Sequence, residues 1–464
     1  MHRLKVMAGV LLALFTAAGA ALADTVVTGS ANFAVYVAFG DSLTAGYSSG
    51  ALEQTYQVNS YPALIYRQVY GNDDKFAQPL VSDPGLGSAG GILVLQSLRP
   101  VTVVPTPSVG HPINLTYPLP YNNMAVPGAT LHDLLTKTQS TSASDPTDLI
   151  LRQKGATQLQ EGLSLKPTFV TLWIGNNDAL AAATSGIAIE GVTLTPAAQF
   201  AADLKTVTDA INAEGAKMAI AKIPDVTSIP FVTAISRFVV NPATNKPVLD
   251  PSGNPIPLIG PNGPLQAGDY VLLSATAELS HGIGIPAVLG GTGKPLSDTS
   301  VLSASEVATI KAHVDAYNAA IVAVATTTSA AVVDTNSALT TLATTGINVG
   351  GVSYSSAYLT GGVFGYDGVH PTAFGYAYIA NLFIDAINAH FGATIPEVDL
   401  YPFVFGPLPK SKRATLPVVE PSSSEFTSIV FTPEARRNLL QSLGVPQSII
   451  DGKTPRPHHP HHGQ

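Results

Sequence analysis

Val35-Tyr36-Val37-Ala38-Phe39-Gly40-Asp41-Ser42-Leu43-Thr44-Ala45-Gly46 is the stretch on which the fold turns. Its opening residues are aromatic, β-branched or small, all apolar, and predict a short strand buried on both faces. Gly40 stops the strand, and Asp41-Ser42 then offers side-chain oxygens suited to a turn or a helix start. The same grammar recurs downstream. Residues 61–70 have helical apolar spacing, and Thr168–Ile174 (TFVTLWI) is a second buried strand stopped by glycine. A helical stretch over 196–213 leads into Met218–Ile223 (MAIAKI), a third strand closed by Pro224. Residues 303–325 predict a helix, Ala330–Val333 a short strand, and 373–390 an amphipathic final helix. Strands separated by helices predict parallel βαβ units, hence an α/β fold whose central sheet is covered on both faces. Ligands of such sheets gather at the carboxyl ends of strands.

Composition narrows the function. Charged residues are 12% of the 464, about half the usual share of roughly 25%. A net charge of −8 lacks the basic footprint that a nucleic-acid partner requires. There is no Cys, which excludes disulfides, thiolate catalysis and Cys-based metal sites. The chain opens with His2, Arg3 and Lys5, continues uncharged from Val6 to Ala23, and offers Ala21-Leu22-Ala23 before Asp24. That pattern predicts a signal peptide over 1–23 and a protein exported to the periplasm, envelope or exterior; an uncleaved membrane anchor is the rival.

The main domain is expected over 24–400. Two Gly- and Pro-rich segments, about 84–120 and 238–300, interrupt its repeat as insertions and are candidate walls over a cleft or plain surface decoration. A C-terminal extension over 401–464 carries one short helix from Thr432-Pro433-Glu434 to Ser442, and its end is expected to be disordered.

Four blocks carry chemistry. Ser42 follows the first strand on a turn, where backbone N–H groups of a helix start could meet a developing oxyanion. Asp367-Gly368-Val369-His370 places a carboxylate three residues before an imidazole, so that Asp367 can accept from Nδ1 and leave Nε2 for a serine. Gly175-Asn176-Asn177-Asp178 follows the second strand, and an Asn amide there could aim N–H at a carbonyl oxygen. Gly128, in Asn123–Thr130, would let a backbone N–H approach a ligand closely. Each block is also readable as ordinary turn or capping chemistry. Together they supply a nucleophile, a base, an orienter and oxyanion donors.

In that combination the chain resembles the SGNH hydrolases, the GDSL family of esterases and lipases, from about Val35 to Phe391. The resemblance implies a flavodoxin-like three-layer α/β/α sandwich. It implies Ser42 as nucleophile, His370 as proton shuttle and Asp367 as its orienter. It also implies an oxyanion hole from the Ser42 and Gly128 amides and the Asn177 side chain, with neither metal nor cofactor. The expected reaction is carboxylic-ester hydrolysis through an acyl-enzyme on a small-molecule or lipid ester, with lipid-surface contact open. An acyltransferase, a carbohydrate deacetylase and an idle envelope binding protein are the alternatives.

Three features invite other readings. The clustered His458, His459, His461 and His462 could bind a metal loosely or belong to a polar terminus. Asn114-Leu115-Thr116 fits a glycosylation sequon. Trp173, the lone Trp, is expected to pack in the core beside the Asn block.

Overall fold

The computed structural model describes residues 26–87, 92–98, 101–106, 110–118, 120–139, 147–153, 155–405, 429–431 and 433–452. The expected signal peptide and the histidine cluster lie outside them.

Strands β1 (Tyr36–Gly40), β2 (Phe169–Trp173), β3 (Lys217–Ala221) and β4 (Ala331–Val333) form one parallel sheet in that spatial order. The free edge of β1 is taken by an irregular segment, Asn122–Val126, running parallel to it. Ala38 N–H donates to Asn122 O at 2.9 Å, Met124 N–H to Ala38 O at 3.0 Å and Val126 N–H to Gly40 O at 3.1 Å. Numbered along the chain, the five segments are ordered 2-1-3-4-5, the flavodoxin-like arrangement. Its switch point lies between β1 and β2. The Gly128 turn therefore hangs off the same carboxyl edge as Ser42.

The helices that bear on the cores and the site are α1 (Ser42–Ala45), α2 (Tyr61–Tyr70), α3 (Leu131–Thr136), α4 (Gln158–Ser164), α5 (Asn177–Ser185), α6 (Ala197–Ala213), α7 (Ala304–Thr328), α8 (Thr335–Thr344), α9 (Ala373–Phe391) and α10 (Pro433–Ser442). Alternate strand residues feed two cores. Tyr36, Ala38, Phe169 and Trp173 meet α2 and the α9 stripe Ala377, Ala380, Ile384 and Ile387. Val37, Phe39, Val170 and Leu172 meet α6 and the α7 stripe Ile310, Val314, Tyr317 and Ile321. Both stripes follow helical spacing. Burial on two faces is why the strands read as continuous apolar runs rather than alternating ones.

The first Gly/Pro-rich segment forms an antiparallel hairpin, Leu93–Leu98 with Val101–Pro105. Ile429–Phe431 joins it as a third strand, parallel to Val101–Val103. Helix α10 then packs down, burying Leu439 and Leu440, and Leu443, Val445, Ile449 and Ile450 follow into the same core. Region 238–300 holds short paired strands and helical turns around a satellite core of Val239, Leu258, Leu265, Val271 and Leu296. Among the described residues, no helix is long and apolar enough to cross a membrane.

Candidate active site

Ser42 stands on the sharp exit from β1, as the first residue of α1. Asp41 caps that helix, its Oδ1 accepting from Leu43 N–H at 3.0 Å. Three hundred residues later the chain returns to the same edge between β4 and α9. Thr372 caps α9 by accepting from Gly375 N–H, fixing the loop that precedes it. In that loop Gly368 has φ +70°, and a Cβ there would lie 3.0 Å from Phe231 N. A side chain at 368 would be strained and would crowd the amide that donates to Gly368 O at 2.9 Å.

The two loops meet. His370 Nε2 lies 2.9 Å from Ser42 Oγ, and His370 Nδ1 lies 2.8 Å from Asp367 Oδ2. A carboxylate can only accept, so Nδ1 carries the imidazole proton and Nε2 turns its lone pair to the serine hydroxyl. Asp367 is saturated: Gly50 N–H also donates to Oδ2, and the Val369 and His370 amides donate to Oδ1, each at 2.9 Å. Burial alone would raise its pKa, but His370 and those donors hold it below the usual carboxylate value.

The second strand end supplies three tethers from consecutive residues. Asn176 Nδ2 donates to Asp41 Oδ2 at 2.9 Å. Asn177 Nδ2 donates to Ala129 O at 2.8 Å, fixing the amide against the turn that contains Gly128. Asp178 Oδ2 accepts from Leu131 N–H at 2.9 Å, at the start of α3. Gly128 itself has φ +80°, a left-handed conformation that glycine adopts without the penalty a Cβ would bring. Among the described residues the Ser42 and Gly128 amides donate to no protein acceptor. The geometry thus gathers Ser42, Asp367 and His370 into one relay, and ties Asn177 to the Gly128 turn.

A half-open trough begins at Ser42, Asn177 and His370. Its walls are apolar and include Leu339 and Leu342 of α8 and Ile379 and Leu382 of α9. Among the described residues none of its lining comes from 84–120 or 238–300, the segments considered as walls; the neighbouring helices α8 and α9 do that work. Trp173 belongs to the core as expected, but it also borders the trough, its indole Nε1 donating to Lys222 O at 3.2 Å.

Several partners escaped sequence reasoning. The hairpin Tyr47–Leu52 presses the Tyr47 ring on the His370 imidazole, centroids 4.7 Å apart, and supplies the Gly50 amide to Asp367. The Ser49-Gly50 pair was its available signal, a turn dipeptide between two short apolar runs. Asn176 and Asp41 had no signal beyond adjacency to the blocks. The Asn114 sequon is occupied structurally: its Oδ1 accepts from Leu80 N–H and its Nδ2 donates to Gln78 O. Among the described residues, no group of three or more His, Asp or Glu side chains gathers to hold a metal.

A flavodoxin-like sheet whose carboxyl edge brings together a hydroxyl, an imidazole and a carboxylate is the architecture of the SGNH hydrolases. The GDSL-like Lipase/Acylhydrolase family model matches residues 36–383, and the chain belongs to that family. Among solved structures it is similar to an extracellular lipase from Streptomyces rimosus, at 16% identity over 76% of this chain and 98% of that one, TM-score 0.33. A lipase/acylhydrolase from Enterococcus faecalis matches at 15% identity over 78% and 98%, TM-score 0.33. An acetyl-xylooligosaccharide esterase from Geobacillus matches at 12% over 77% and 94%, TM-score 0.35. No curated protein matches the chain.

Proposed function

We propose that this chain is an exported carboxylic-ester hydrolase that works through an acyl-enzyme on Ser42. The observation that carries the proposal is the unbroken relay from Ser42 Oγ through His370 to Asp367. His370 Nε2 takes the hydroxyl proton as Ser42 attacks the ester carbonyl, and Asp367 stabilises the imidazolium that forms. The oxyanion is met by the Ser42 and Gly128 amides and the Asn177 side chain, donors of a kind worth about 3–4 kcal/mol each. His370 passes its proton to the leaving alcohol, then activates a water that frees the acid.

The apolar trough supports esters with a hydrophobic acyl part, and so esterase or lipase activity rather than deacetylation of sugars. Export rests on residues 1–23; protein recovered outside the cytoplasm should begin at Asp24 by mass. The central test is turnover of p-nitrophenyl butyrate. Ser42→Ala should lower kcat by about 10⁴-fold or more, and a serine-directed phosphonate should label Ser42. Undiminished hydrolysis in that variant, or label on another residue, would sink the assignment.

A further inference from the structure

Asn176 is 3% exposed and Asp41 is fully buried, yet both are polar and they meet 135 residues apart in sequence. The contact is single-purpose. Asn176 Oδ1 has no partner among the described residues, so the bond from Nδ2 to Asp41 Oδ2 is the one polar contact of that amide. Burying an amide for one bond is costly unless the bond fixes something. What lies beyond it is the nucleophile: the other Asp41 oxygen caps α1, of which Ser42 is the first residue.

We propose that Asn176 is a positioning residue that holds Ser42 against His370 by clamping the Asp41 carboxylate across the β1–β2 switch point. Asn177 and Asp178, from the same turn, tie down the opposite bank, so one turn sets the spacing between nucleophile and oxyanion donors. The groups facing Asp41 are His370, Asp178, Tyr61 and Tyr376. Burial pushes its carboxyl up to about 6, opposed by Asn176, Leu43 and His370, so above that pH the clamp joins an amide to a carboxylate.

The proposal rests on Ser42 as nucleophile, and phosphonate labelling of the unmodified protein is the control: no label on Ser42 defeats that reading, not the clamp. With label present, Asn176→Ala should still melt cooperatively, while kcat on p-nitrophenyl butyrate falls at least tenfold, KM stays within threefold, and labelling slows in step. Asn176→Asp sets two buried carboxyls together. They can share a proton in acid but repel once both ionise, so its activity relative to wild type should fall steeply from pH 5 to pH 8. Asp41→Asn combined with Asn176→Asp rebuilds the bond with donor and acceptor exchanged, and should recover kcat at pH 8 to within threefold of wild type. Full kcat in Asn176→Ala, loss of its cooperative melt, or a double variant no better than Asn176→Asp at pH 8 would each overturn the clamp.

Discussion

Asp41, Asp178 and Asp367 are all buried, and their environments push them in opposite directions. Burial lifts Asp41 and Asp178 to about 6 each, whereas His370 and backbone donors more than offset burial at Asp367 and hold it low. For the first two, the folded state keeps its protons where the unfolded chain, titrating near about 3.9, has lost them. Stability therefore falls as pH rises from about 4 to about 6, and levels off above. Asp367 acts oppositely: its contribution is complete above the unfolded value and disappears only as pH drops through its lower folded value. Urea midpoints measured from pH 4 to 7 should show the first decline, and Asp41→Asn should flatten it; an unchanged slope would contradict the assignment. At the same scale, Asp367→Asn should fold normally yet lose about 10⁴-fold in kcat, because the imidazole loses the partner that fixes its tautomer.

Helix α10 shows what an element can owe to contacts far away in sequence. It lies beyond the matched family region, yet Leu440 is 1% exposed within the main core. Leu440→Ala should destabilise the protein by about 2–5 kcal/mol in urea unfolding; a change below about 0.5 kcal/mol would mean that the segment does not pack in solution. The sequence announced α10 through its Pro start, but nothing in PEARRNLLQS says which core receives its leucines. Strands β1, β2 and β3 were legible because burial on both faces leaves long apolar runs. Asn122–Val126 was not: its Asn-rich sequence carries no strand pattern, and its place comes only from hydrogen bonds to β1. Helix α8, threonine-rich over TNSALTTLAT, has too weak an apolar stripe to stand out, although it walls the trough. The meeting of Ser42, His370 and Asp367 was legible because each sits in a punctuated block beside a strand or helix end. Asn176 and Tyr47 were not, since their roles exist only once separate blocks meet.

Across the whole molecule, the hydrogen-bonded pair Ser42 and His370 is joined over 328 residues of sequence, and the strands that position both belong to one sheet. Such a site has no independent stability. Esterase activity and far-UV circular dichroism should be lost at one urea midpoint, as a two-state transition requires; activity vanishing earlier would reveal a separately opening edge. The apolar lining of the trough makes a further whole-molecule prediction: kcat/KM should rise from p-nitrophenyl acetate to octanoate, since each buried CH₂ contributes about 0.8 kcal/mol. A flat or falling series would deny the trough its acyl chain. The chain's lone indole, Trp173, stands in the wall of that trough, which Ser42 also lines. Nature has thereby installed a single indole where any guest must alter the local polarity, so its emission under indole-selective excitation can count occupied molecules without dye, tag or turnover.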